Sequence, residues 1–112
     1  MLFLLIRLYI STLHFFSIDL DAIAGIFIRD IAPDSVCARD GRLAIGDQIV
    51  EVNDQSLHGF SNIQALYLLQ NTSSNVQLKV RRYLDGVKHE KITEMIGKIH
   101  YPSPMRNLIR GS

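Results

Sequence analysis

The sequence predicts a mostly β domain with two helices, of the α+β class, and three observations carry that expectation. β-branched and aromatic runs with period-two alternation recur from Arg7 to Val80. Clusters of Pro, Gly, Asp and Asn separate them. Within that span only two stretches carry helix signals, a short one after Pro33 and a longer one after Ser61.

Arg7 to Ile10 is a short β-prone run, and Phe16-Ser-Ile-Asp-Leu20 alternates as a strand with one buried face does. Gly25 to Ile31 is the next strand. Pro33-Asp34-Ser35 turns the chain, Ser35 to Arg39 has room for one helical turn, and Asp40-Gly41 is a turn in which glycine accepts positive φ. Gln48 to Val52 is a strand, Asn53-Asp54 a turn, and Gln55 to Leu57 a very short strand. Ser61 is placed to cap a helix from Asn62 to Gln70, in which Ile63, Leu66, Tyr67 and Leu69 are spaced to form a packing face. Asn71 to Asn75 is a polar loop, and Val76 to Val80 alternates as the last strand. Beyond Asp85-Gly86, Ile92, Met95, Ile96 and Ile99 recur at helical spacing, so Lys88 to Ile99 is an amphipathic helix. Tyr101-Pro-Ser-Pro104 ends it and begins a linker.

With 112 residues, the chain holds one compact domain with tails. A hydrophobic share of 47% and a charged share of 21% fit a globular domain. The formal net charge of +1 gives no reason to expect nucleic acid as a partner. A single cysteine, Cys37, forbids an intramolecular disulfide, and with four scattered histidines it makes no metal site; a reducing, cytoplasmic setting is the simplest expectation.

Residues 1–16, MLFLLIRLYISTLHFF, are almost continuously apolar. The stretch is short of the roughly 20 residues a membrane-spanning helix needs, and Arg7 interrupts it. Ala22-Ile23-Ala24 has the form of a signal-cleavage site, but the start lacks a basic residue, and cutting there would remove everything before the best-patterned strand. Buried strand is the preferred reading, with signal or anchor as the alternative. Three regions follow: 1–14 as an apolar N-terminal segment, 15–84 as the domain, and 85–112 as a C-terminal extension.

Four segments in order give the domain a resemblance to a known family. They are Gly25-Ile-Phe-Ile28, then Pro33-Asp-Ser-Val-Cys-Ala-Arg-Asp-Gly-Arg-Leu43, then Gly46-Asp-Gln-Ile-Val-Glu-Val-Asn53, and Ser61 to Asn71. Together they resemble a PDZ domain, the third being the most specific. Arg81-Arg-Tyr-Leu-Asp-Gly with Lys88-His-Glu is similar to modules of multi-PDZ scaffolds at cell junctions. The resemblance implies a small, partly open β-barrel or sandwich capped by the two helices. It also implies a partner's peptide, typically a C-terminal tail, added as a strand between the second strand and the longer helix. Phe15, Phe16, Ser17, Ile18 and Asp19 would supply the strand side, and Asn62, Leu66 and Leu69 the helix side. Leu66 and Leu69 also read as plain core leucines, and Asn62 as an exposed first-turn residue. Many family members have His at the place of Asn62; an amide both donates and accepts, so it demands a polar ligand side chain less sharply.

The family's Gly-Leu-Gly-Phe loop, whose backbone N–H groups face a terminal carboxylate, is absent. Aligning Phe15 with its Phe puts Thr12 and His14 in place of the glycines. Aligning Phe16 instead gives the better strand, with Phe16, Ile18 and Leu20 on one face and Ser17 and Asp19 on the other. Either way, left-handed backbone at non-glycine residues costs roughly 1–2 kcal/mol each, enough to weaken carboxylate binding about tenfold or more. The expectation is sound groove walls with a poor end-stop, favouring weak binding of C-terminal tails or use of internal peptides. The alternative is a structural or membrane-associated domain whose groove is unused or internally occupied. No nucleophile motif or phosphate-binding loop points to an enzyme, no cofactor is implied, and Cys37 reads as a small packed side chain. Any proximity to a membrane would come through the partner.

Overall fold

The computed structural model describes residues 1–20 and 23–100. Strands β1 (Leu2–Tyr9), β2 (Leu13–Leu20), β3 (Ile23–Ile31), β4 (Gln48–Val52), β5 (Gln55–Ser56) and β6 (Asn75–Arg82) form one antiparallel sheet in the order β1-β6-β4-β3-β2, with β5 beside β4. Helices α1 (Val36–Asp40), α2 (Asn62–Gln70) and α3 (Gly86–His100) complete the fold. The mostly β, α+β expectation holds, with a third helix where the C-terminal amphipathic pattern lay.

β1 is longer than the Arg7–Ile10 run suggested. It pairs along its whole length with β6, from Leu2 opposite Arg82 to Tyr9 opposite Asn75. Ile6 and Leu8 point into the core with Leu4 packed beside them, while Phe3, Leu5 and Tyr9 stay exposed. The period-two alternation is therefore present within an apolar run, with only one face covered. Among the described residues, no helix is long and apolar enough to cross a membrane.

Two apolar clusters flank the sheet. The main one joins Ile6, Leu8, Leu13, Ile26, Ile28, Ile49, Val52, Ala65, Leu69, Val76, Leu78 and Val80. The second joins Ile18, Ile23, Phe27 and Ile92, with Phe16, Tyr83, Met95 and Ile96 against it. Helix α3 thus covers the face of the β2–β3 hairpin turned away from the main core. Gly46 makes that approach feasible. Its φ is +96°, and a Cβ there would lie 2.9 Å from Ile96 Cδ1 and 3.0 Å from Ile92 Cγ2. The side chain of Ile99, the last member of the predicted stripe, and the linker from Tyr101 onward lie outside what the structure describes.

Local chemistry sets the helix starts. Ser35 Oγ accepts from Ala38 N, and Gly41 closes α1 in left-handed geometry at φ 76°. In α2, Ser61 Oγ accepts from Gln64 N while Gln64 Oε1 accepts from Ser61 N, a reciprocal capping box. The face of α2 differs from expectation. Ala65 and Leu69 are buried and Leu66 and Leu68 half-buried, whereas Ile63 and Tyr67 are 81% and 68% exposed. The helix is apolar nearly all round, so its own spacing does not choose which side turns inward.

An ion pair between the buried Asp47 and the half-buried Arg82 ties the sheet together. Asp47, 1% exposed, accepts from Arg82 Nε at 2.7 Å and Nη2 at 2.8 Å and from Ala44 N at 2.9 Å. These hydrogen bonds hold the Arg82 guanidinium above its ordinary pKa.

Candidate functional site

β2 ends the strand order, so among the described residues one of its edges is unpaired, and α2 runs beside it. A strand edge of this kind carries backbone N–H and C=O groups that an added strand can satisfy. The N-terminal segment does not fill it, because β1 lies at the opposite end of the sheet order, on β6.

The predicted strand residues divide between the two apolar clusters. A register shift between His14 and Phe15 interrupts the pairing of β2 with β3. Leu13 and Phe15 pack toward the main core, whereas Phe16 and Ile18 pack into the second cluster, with the Phe16 ring 5.9 Å from that of Phe27. Ser17 and Asp19 are exposed. Phe16 and Ile18 share one face, as the alternation predicts, and Leu20, next in that alternation, is exposed.

On the helix side, Asn62 is half-buried, Leu66 is half-buried against the main core, and Leu69 is 3% exposed within it. Asn62 reaches across: its Nδ2 donates to the Ile18 carbonyl at 2.9 Å. That contact spans the two elements expected to flank a peptide and ties the start of α2 to β2. The reading of Asn62 as an ordinary exposed first-turn residue does not describe it.

The turn before β2 differs in kind from a glycine loop. Ile10–Thr12 is a single 3-10 turn, and Leu13 after it is already extended at φ −117° and ψ 146°. Among the described residues, the non-glycine residues with positive φ are Asp34, Asn53 and Asp54, none of them near this turn. The left-handed strain expected from the missing glycines is not incurred, because the chain does not adopt the nest that would demand it.

A cavity of about 370 Å³ adjoins this region at Asn62. It sits where β3 and β4 diverge after pairing only at Ile26–Ile49 and Phe27–Gln48, and Gly25, Gln48, His58, Asn62 and Arg81 are among its lining. Sequence spacing gave no sign of it. Gln48 is its polar centre: Nε2 donates to Ala24 O, and Oε1 accepts from Arg81 Nε and Nη2 and from Tyr83 Oη. Gly25, at φ +146°, leaves room for that side chain, since a Cβ there would lie 2.5 Å from Gln48 Nε2. Among the described residues, no group of three His, Cys, Asp or Glu is placed to hold a metal ion. Cys37 is buried, and loss of solvent, followed by the nearby Asp40 charge, raises its thiol pKa.

The comparisons with known proteins agree with this architecture. A PDZ domain family model matches residues 16–81. The chain is 40% identical over 76 residues to the Patj homolog of Drosophila melanogaster, covering 68% of this chain and 9% of that protein. It is 42% identical over 67 residues to the human Multiple PDZ domain protein, covering 60% of this chain and 3% of that one. It thus spans only a small part of either relative's length. Among solved structures, the second PDZ domain of Dlg1 from the choanoflagellate Monosiga brevicollis superposes with a TM-score of 0.60 at 28% identity, covering 72% of this chain and 99% of that domain. The chain belongs to the PDZ domain family, and through that family it is a peptide-binding module for protein–protein interaction.

Proposed function

We propose that the groove between β2 and α2 binds an extended peptide as an added strand along β2, with Phe15 to Asp19 supplying the strand side and Asn62, Leu66 and Leu69 the helix side. The observation that carries this is the β2 edge facing α2, unpaired among the described residues. A guest antiparallel to β2 would exchange its backbone N–H for the Asn62 amide at the Ile18 carbonyl. Among the described residues the preceding turn holds no left-handed residue, which supports a groove without a nest of N–H groups for a terminal carboxylate. The groove therefore takes internal peptides about as readily as C-terminal tails. Its role is binding rather than catalysis.

The similarity to a relative named for its several PDZ domains supports a place in a multi-PDZ scaffold. On this proposal the module works in the cytoplasm at membrane-associated junctions, on peptides of other proteins.

The test is fluorescence polarisation with decapeptides offered as free acids and as C-terminal amides. The expected result is binding of both forms within about threefold of each other. A free-acid preference of about tenfold or more, some 1.4 kcal/mol, would show a working carboxylate site and overturn the end-stop reading. Binding of neither form overturns the groove assignment.

A further inference from the structure

We propose that the cavity between β3, β4 and the start of α2 is an acidic side-chain pocket with Arg81 as its cation, giving the module a preference for peptides with Glu or Asp upstream of the segment held by β2. The inference rests on the groove reading above and names the chemistry of its ligand. The lining contains the Arg81 guanidinium and the His58 ring and no Asp or Glu among the described residues. Arg81 has two neutral neighbours: the Gln48 carbonyl oxygen, which takes Nε at 3.2 Å and Nη2 at 2.8 Å, and the Tyr83 ring, 5.2 Å away. Nη1 is not used in either hydrogen bond, and a guanidinium offers five N–H donors in a plane suited to a carboxylate.

Arg82, the next residue along, provides a contrast. Its charge is matched by the buried Asp47 carboxylate. Among the described residues, Arg81 has no carboxylate within ion-pairing distance, and the cavity it borders, of about 370 Å³, is large enough for a side chain.

Position links the cavity to the groove. Gly25, in its lining, is the cross-strand partner of Ile18, and Asn62, also in its lining, donates to Ile18 O. A peptide antiparallel to β2 has its C-terminal end near Leu13 and its upstream residues near Ile18. Paired one to one with β2, the residue beside Ile18 is the third or fourth from the end of a tail that stops beside Phe16 or Phe15, and the next residue upstream is the fourth or fifth.

The test compares two fluorescein-labelled decapeptides that share a sequence except at the fourth and fifth residues from the C-terminus, Glu-Glu in one and Gln-Gln in the other. At low salt the Glu peptide is expected to bind at least fivefold more tightly to the wild-type chain. In Arg81→Gln the difference is expected to shrink below twofold while the Gln peptide binds as before. Equal binding of the two peptides to the wild type overturns the pocket while leaving the groove intact, and so does a preference that survives Arg81→Gln. Should neither decapeptide bind, the groove reading fails on its own account. The pocket is then decided on the wild-type chain by titrating acetyl-Glu-Glu-amide and following the Arg81 Nε–H and His58 ring signals by NMR. Selective movement of those signals, absent with acetyl-Gln-Gln-amide, supports the pocket, and stationary signals overturn it.

Discussion

Asn62 and Ile18 lie 44 positions apart in the chain and meet through one hydrogen bond. A side-chain amide on a backbone carbonyl contributes about 1 kcal/mol net, because water would otherwise serve both groups. A guest strand that needs the same carbonyl must first displace it. Asn62→Ala is therefore expected to tighten decapeptide binding by about fivefold, measured by fluorescence polarisation, while lowering the stability of the free domain by about 1 kcal/mol. Weaker binding would show that what Asn62 gives the bound peptide outweighs the hydrogen bond it must release. Asn62 was legible as a site residue only through the family resemblance. Its actual partner was not, since nothing local marks which carbonyl an amide on another element will reach.

At the scale of elements, α3 is the amphipathic helix that the spacing of Ile92, Met95 and Ile96 predicts, and its packing has the most consequence. Its stripe of Ile92, Met95 and Ile96 supplies one side of the second cluster, and Phe16, Ile18 and Phe27 supply the other. Ile92 is 5% exposed. Truncating a buried Ile to Ala typically costs about 2–5 kcal/mol, through lost burial and the cavity left behind. Because the main cluster includes no α3 residue among those described, Ile92→Ala is expected to loosen this helix while the rest of the sheet holds. Hydrogen exchange should then show lost protection through α3 and in β2, with β4 and β6 unaffected. Uniform loss across the domain would mean that the two clusters unfold as one.

For the molecule as a whole, Cys37 serves as a reporter. It sits in the main cluster with Ile26, Ile28 and Leu43, and burial raises its thiol pKa, so the folded state disfavours the reactive thiolate. Iodoacetamide near pH 8 is expected to label it slowly, at a rate that rises with urea in step with global unfolding. Fast labelling without denaturant would place the thiol at an accessible surface. The sequence revealed this architecture unevenly. Strands β3, β4 and β6 and the bounds of α2 were readable because alternation and the Ser61–Gln64 cap are local signals. The length of β1 was hidden because its exposed positions are as apolar as its buried ones. The inward side of α2 was misjudged for the same reason. The Arg81 cavity had no local signature at all, since Gln48 and Arg81 come together only through the pairing of β4 with β6.

Ile18 belongs to both sides of the hairpin. Its carbonyl takes the Asn62 amide, and its side chain is walled in with Ile92 of the C-terminal helix. Front and rear are therefore mechanically joined at a single peptide unit. A force that peels the terminal helix away from the sheet also strains the tether that holds α2 against β2.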